Sequence, residues 1–260
     1  MYREFMIYHT SDSIFLDSPL NKEGFGQALE LGRYIDASGK NKDTTSGTDE
    51  SLSKTKDVLT ALRGDIGSDG KQLVSSVMVT SNLRRSIATV VCCSWNRLMK
   101  TGEKIHMFSG LQEISLNVDT KAMSDSQGIP DIRRIRQYVP EYKEDEPNLY
   151  LDPTANHGNK TTAFNGLKRL KAFNEWAFNR DEDVVIASGH SLWFKYYFLT
   201  YLSHGSTHDA MCTKIVNGGA VACVVHRGTM VNADGTTTTC YKVEEDSIVP
   251  VYGGFEKKKK

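Results

Sequence analysis

Two runs dense in β-branched and other apolar residues constrain this chain most: residues 74–80 (VSSVMVT) and residues 183–188 (DVVIAS). Runs of this length suit strands buried on both faces, as in a parallel sheet covered by helices. Each breaks at once into polar or glycine residues and then a helical stretch. Ser81-Asn82-Leu83-Arg84-Arg85-Ser86 opens a helix expected over 82–100, with Gly102 as its stop. Gly189-His190-Ser191 opens an apolar helix expected over 192–202. Further strands are predicted at 3–9, 105–108, 220–226 and 238–243, and further helices after Asn21 and over 54–63 and 161–179. The alternation predicts a three-layer α/β/α sandwich with a mixed central sheet.

The 260 residues fit one domain, 1–260, carrying two insertions. Residues 37–55 are rich in Ser, Thr, Gly, Lys and Asp and read as a flexible surface insertion. Residues 115–160 are irregular and too long for a bare loop, which suggests a cap or lid.

Composition excludes some functions. With 32 basic and 32 acidic residues the formal net charge is zero, so no global field draws the chain to nucleic acid or anionic membrane. The Arg133-Arg134-Ile135-Arg136 cluster is too local to change that expectation, and the closing lysines 257–260 read as a solvated tail. The five cysteines are odd in number, two are adjacent and no C-x-x-C spacing occurs. That argues against disulfides or structural zinc and suits a reducing, intracellular, cytoplasmic setting, an organelle remaining open. No apolar run reaches the length of a membrane span. No metal and no cofactor is expected.

Ligands of open α/β sheets bind beyond the carboxyl ends of the strands. There this sequence places His9, Arg85, Glu113, His190 and Ser191. The set suits phosphoryl transfer. An imidazole can carry a phosphoryl group covalently. Arginine offers paired donors of permanent charge, a second histidine can donate to a phosphoryl oxygen, and a carboxylic acid can protonate the leaving alkoxide. Helix starts near 82 and 191 add backbone N–H donors. Singly, each residue is as readily a capping, core or solvated side chain; their joint placement carries the reading.

The same residues resemble the histidine phosphatase superfamily, in its phosphoglycerate mutase-like form. Ser81, Leu83, Arg85, Ser86 and Thr89 are similar to its second motif, and Gly189-His190-Ser191 to its late motif. Asp17-Ser18-Pro19-Leu20-Asn21, with Gly24, Gln27 and Ala28, resembles the segment after its first motif, and Leu111-Gln112-Glu113-Ile114 the segment bearing its acid. Residues 156–160 (NHGNK), 189–194 (GHSLWF), 214–219 (KIVNGG) and 252–255 (YGGF) look like a eukaryotic branch of these proteins. The resemblance implies that Arg85, His190 and Ser191 bind phosphate and that Glu113 is the acid. The partner implied is a small phosphorylated substrate or phosphate ion.

The first motif departs from the family. Where Arg-His-Gly is usual, the chain reads Tyr8-His9-Thr10. Two readings stand: His9 is the nucleophile of an altered site, or the motif is lost and His9 is incidental. The first implies a phosphatase working through phosphohistidine, with impaired rate. The second implies an inactive scaffold or accessory subunit with a protein partner.

Overall fold

The computed structural model describes residue 13 and residues 15–39, 50–161 and 166–257. The strand expected at 3–9 and His9 itself lie outside these residues. Four strands form the central sheet: β1 (Ser76–Thr80), β2 (Ile105–Met107), β3 (Leu151–Asp152) and β4 (Val184–Ser188). Their order is β3-β2-β1-β4, and every pairing is parallel. All five residues of β1 are buried, as a run without polar alternation requires.

Successive β1 side chains point to opposite faces. Met78 packs with Ile105, Met107 and the apolar stripes of α1 (Lys22–Ala37) and α3 (Arg84–Cys93), among them Phe25, Ala28, Ile87 and Val91. Val79 packs on the other side with Phe108, Leu170, Phe173, Trp193 and Phe198. These belong largely to α5 (Gly166–Phe178) and α6 (Ser191–Tyr201). The result is helix, sheet, helix, the α/β class that the alternation of elements predicts. Asn21 caps α1 as expected, its Oδ1 accepting from Gly24 N at 2.8 Å.

Several boundaries differ from expectation. The helix expected over 82–100 is two helices, α3 and α4 (Trp95–Thr101), which meet at Ser94. At that junction α1 approaches so closely that a Cβ on Gly32 would lie 3.0 Å from the Cys93 carbonyl oxygen. Helix α2 spans Glu50–Arg63, beginning before the expected start at residue 54 and inside the 37–55 stretch. The central sheet is also parallel rather than mixed among the described residues. Antiparallel pairing falls in two separate ladders: β5 (Ala220–Ala222) with β8 (Val249–Tyr252), and β6 (Val225–Val231) with β7 (Thr237–Val243). The β6–β7 ladder closes on itself through Asn232-Ala233-Asp234-Gly235, where Gly235 supplies a φ of +79°. Among the described residues no helix is long and apolar enough to cross a membrane.

A buried arginine fastens the amino-terminal end of the sheet. Arg97 in α4 donates to Ser76 O at 3.1 Å, to Ala61 O, and to both carboxylate oxygens of Glu103. Its side chain is 1% exposed. Removing one partner of such a pair strands the other in low dielectric. Arg97→Met is therefore expected to destabilise the protein by about 3–5 kcal/mol, read as a lower urea midpoint. A loss below about 1 kcal/mol would contradict the anchoring role.

Candidate functional site

The carboxyl edge of the sheet is knitted before any functional side chain is added. Ser81 N donates to Ser188 O at 3.0 Å, and Phe108 N donates to Thr80 O at 2.8 Å. Ser86 Oγ lies 3.0 Å from Thr80 Oγ1 and 3.2 Å from Ser188 Oγ, joining the start of α3 to both strands. His190 stands immediately before α6, 6% exposed, with Nε2 2.9 Å from Ser81 Oγ.

The adjacent arginines of α3 have different surroundings. Arg84 is buried and clasps the 13–17 segment. Its Nε donates to Asp17 O at 2.7 Å and its Nη2 to Ser13 O and Leu16 O, while its backbone N donates to Asp17 Oδ1 at 2.9 Å. Asp17 Oδ2 also accepts from Met123 N at 3.2 Å. Arg85, half-buried, turns to the loop after Glu113: its Nη1 donates to Asp119 O at 2.8 Å and lies 3.7 Å from the Asp119 carboxylate.

Asn156 holds the neighbouring loops in register. Its Oδ1 accepts at 3.0 Å from Asn82 Nδ2, Ser109 Oγ and Gly158 N. Its Nδ2 donates to Gly128 O at 2.8 Å, Ser124 Oγ at 3.1 Å and Asp125 O at 3.2 Å. The chain then delivers Asn159, whose Oδ1 accepts from Gln112 Nε2 at 2.7 Å and Ala122 N at 3.0 Å. Lys160 follows, donating from Nζ to Glu113 O at 2.6 Å, Thr120 Oγ1 at 2.8 Å and Ser115 O. Arg169 reaches in from α5, its Nη1 donating to Gln112 O.

Three cations thus gather around one buried histidine and one buried carboxylate. Burial holds the His190 imidazole well below its usual range, and Arg85, Lys160 and Arg169 add repulsion in the same direction. The ring is neutral at pH 7. Burial raises the Glu113 carboxyl, against opposition from Ile114 N–H, which donates to its Oε1 at 2.7 Å, and from the charges of Arg85 and Lys160. Burial, reinforced by Arg169, brings the Lys160 ammonium down to about 8. Excess positive charge beside a neutral imidazole and a carboxyl that burial makes harder to ionise could accept an oxyanion. Among the described residues no group of three or more His, Cys, Asp or Glu could hold a metal ion.

Arg85 lies within electrostatic reach of both Glu113 and His190, and Ser191 is the first residue of α6. His9 lies outside the described residues. Lys160 and Arg169 are the residues that sequence reasoning missed. Lys160 closes the NHGNK stretch already noted at 156–160, and its place after three loop-forming residues was the available signal. Arg169 lies among ordinary helical charges, and nothing in its spacing separates it from Lys168 or Lys171.

No family model and no curated protein matches the chain. Among solved structures, the native structure of a mycobacterial glucosyl-3-phosphoglycerate phosphatase is similar at 14% identity and a TM-score of 0.40, covering 89% of this chain and 88% of that one. The functional reading rests on the site's own residues.

Asp17 gives this edge a distinct pH signature. Burial raises its carboxyl from 3.8 to about 6, against the opposing backbone N–H groups of Arg84 and Met123. The folded state then holds the proton more tightly than the unfolded chain. The stability contributed by this group is complete below pH 3.8 and is lost as pH rises through about 6. Carbon NMR should show the Asp17 carboxyl titrating near 6. Relative to Asp17→Asn, the wild type should lose on the order of 3 kcal/mol of stability between pH 4 and pH 7. A midpoint near 4 would refute the assignment.

Proposed function

We propose that this chain is a histidine-phosphatase-like protein that binds the phosphoryl group of a small phosphomonoester at the carboxyl edge of its sheet. The observation that carries the reading is the convergence of Arg85, Lys160 and Arg169 on a buried, neutral His190 beside Glu113. The cations offset the phosphoryl charge, Arg85 through a planar fork that suits two of its oxygens. Neutral His190 can donate one ring N–H to a phosphoryl oxygen, and the start of α6 at Ser191 adds a favourable dipole.

In the catalytic form of this proposal, His9 attacks phosphorus and the P–O bond to the leaving group breaks. The departing alkoxide takes a proton from Glu113, whose carboxyl burial makes harder to ionise. Water then attacks the phosphohistidine, returns a proton to Glu113 and releases inorganic phosphate. The role of His9 rests on its sequence position alone.

Two observations favour a second reading, an inactive relative that keeps the anion site for a scaffold or accessory role. The first motif reads Tyr8-His9-Thr10, without the arginine and glycine of the resembling family. Arg85 also already engages Asp119.

Hydrolysis of an aryl phosphate, measured beside Arg85→Ala and His190→Ala, separates the two. The catalytic reading expects each variant to lose about 10²–10³-fold in kcat. Calorimetric binding of inorganic phosphate, weakened in Arg85→Ala and Lys160→Ala, without turnover would select the second reading. Absence of both turnover and phosphate binding would reject the site.

A further inference from the structure

The loop that touches Arg85 and Lys160 also carries large apolar side chains turned to solvent. Leu116 is 66% exposed and Val118 57%. Each is adjacent in sequence to a residue that meets a cation of the site: Ser115 O accepts from Lys160, and Asp119 O accepts from Arg85. Phe15, 58% exposed, projects from the segment clasped by Arg84, and Asp17 Oδ2 binds that segment to the same stretch through Met123 N.

This rim is not a loose loop. Thr120 Oγ1 donates to Ser115 O at 2.8 Å and to Asn117 O at 2.7 Å, and Gln112 Nε2 donates to Thr120 O at 2.8 Å. With Lys160 bonded to the same stretch, Leu116 and Val118 are held outward on a fixed backbone. Rigid apolar groups beside a polar anchor are how small-ligand sites read the body of a ligand whose head is held electrostatically. Asp119 adds a selection rule. Its carboxylate, 45% exposed and 3.7 Å from Arg85 Nη1, repels a second negative charge placed at the rim.

We infer that the ligand of this site is a phosphomonoester with an uncharged, apolar body, aryl or alkyl, rather than a phosphorylated sugar or carboxylic acid. The inference rests on the phosphoryl-binding reading above. The body covers Leu116 and Val118 and leaves Asp119 facing no anionic group.

Phosphonates, which resist hydrolysis, test it with the full chain by titration calorimetry at fixed pH and ionic strength. The probes are inorganic phosphate as reference, benzylphosphonate, 2-hydroxyethylphosphonate and 3-phosphonopropionate. Benzylphosphonate should bind at least about tenfold tighter than 2-hydroxyethylphosphonate, from the apolar area each can cover. 3-Phosphonopropionate should bind weakest. The double variant Leu116→Ser, Val118→Ser should bring benzylphosphonate to the level of 2-hydroxyethylphosphonate, and Asp119→Asn should strengthen 3-phosphonopropionate. Equal affinity for the two neutral-bodied probes, with inorganic phosphate still bound, would overturn the inference and leave the phosphoryl site standing. No binding of any probe, inorganic phosphate included, would overturn both.

Discussion

The carboxamide of Asn156 is the joint on which the site depends. A carboxamide accepts and donates on opposite edges, so one side chain can satisfy several backbone and side-chain groups at once. Here it binds Asn82 at the start of the β1 exit, Ser109 after β2, the 124–128 turn and its own Gly158. Four residues later Lys160 enters the cationic cluster. Without the joint, the loops after β1 and β2 would lack a common reference, and the lysine would not be fixed against the carbonyls that hold it. Buried polar networks of this kind are costly when half-satisfied and rigid when complete.

Charge within the site follows from which groups escape water. Arg84 and Arg85 are neighbours in sequence, yet about 100° of helical turn separates their directions. Arg84 is spent inside the protein on the carbonyls of the 13–17 segment and on Asp17, whose positive φ of 48° shapes the turn that Arg84 closes. Arg85 keeps its guanidinium at the edge, where Asp119 meets it. His190 and Glu113 are displaced in opposite directions for one reason: burial disfavours the charged form of each, making the imidazole easier to deprotonate and the carboxyl harder. The cations strengthen the first shift and oppose the second.

Much of the frame was legible in the sequence because burial on both faces leaves a compositional trace. That trace is complete for β1 at 76–80, buried at all five positions; β4 at 184–188 is only half-buried along its length, and its β-branched run and polar exit made it readable. The break at Ser94 could not be read. Its neighbours Cys93, Trp95 and Asn96 are middling helix residues that do not by themselves end a helix, and the close packing of α1 on the junction at Gly32 comes from far away in sequence. Strand β8 was hidden by Pro250, which weakens a strand reading but is tolerated at an edge. Arg84 and Arg85 could be separated only by knowing which side of α3 faces the 13–17 segment. Lys160 and Arg169 arrive from distant segments, and one-dimensional spacing does not encode their convergence on His190.

The clustered cations have a consequence for the empty protein. Arg85, Lys160 and Arg169 repel one another; burial, the larger cause, lowers the Lys160 ammonium, and the charges of Arg169 and Arg85 add to it. On the reading proposed above, a bound oxyanion would relieve the repulsion only in the folded state, because unfolding disperses the three charges. Occupancy and folding are therefore thermodynamically linked, and the stabilisation grows with the logarithm of anion concentration once the site is saturated. On the phosphoryl-binding reading proposed above, the melting temperature depends on the buffer as well as on the chain, and is higher in phosphate than in a chloride medium of equal ionic strength.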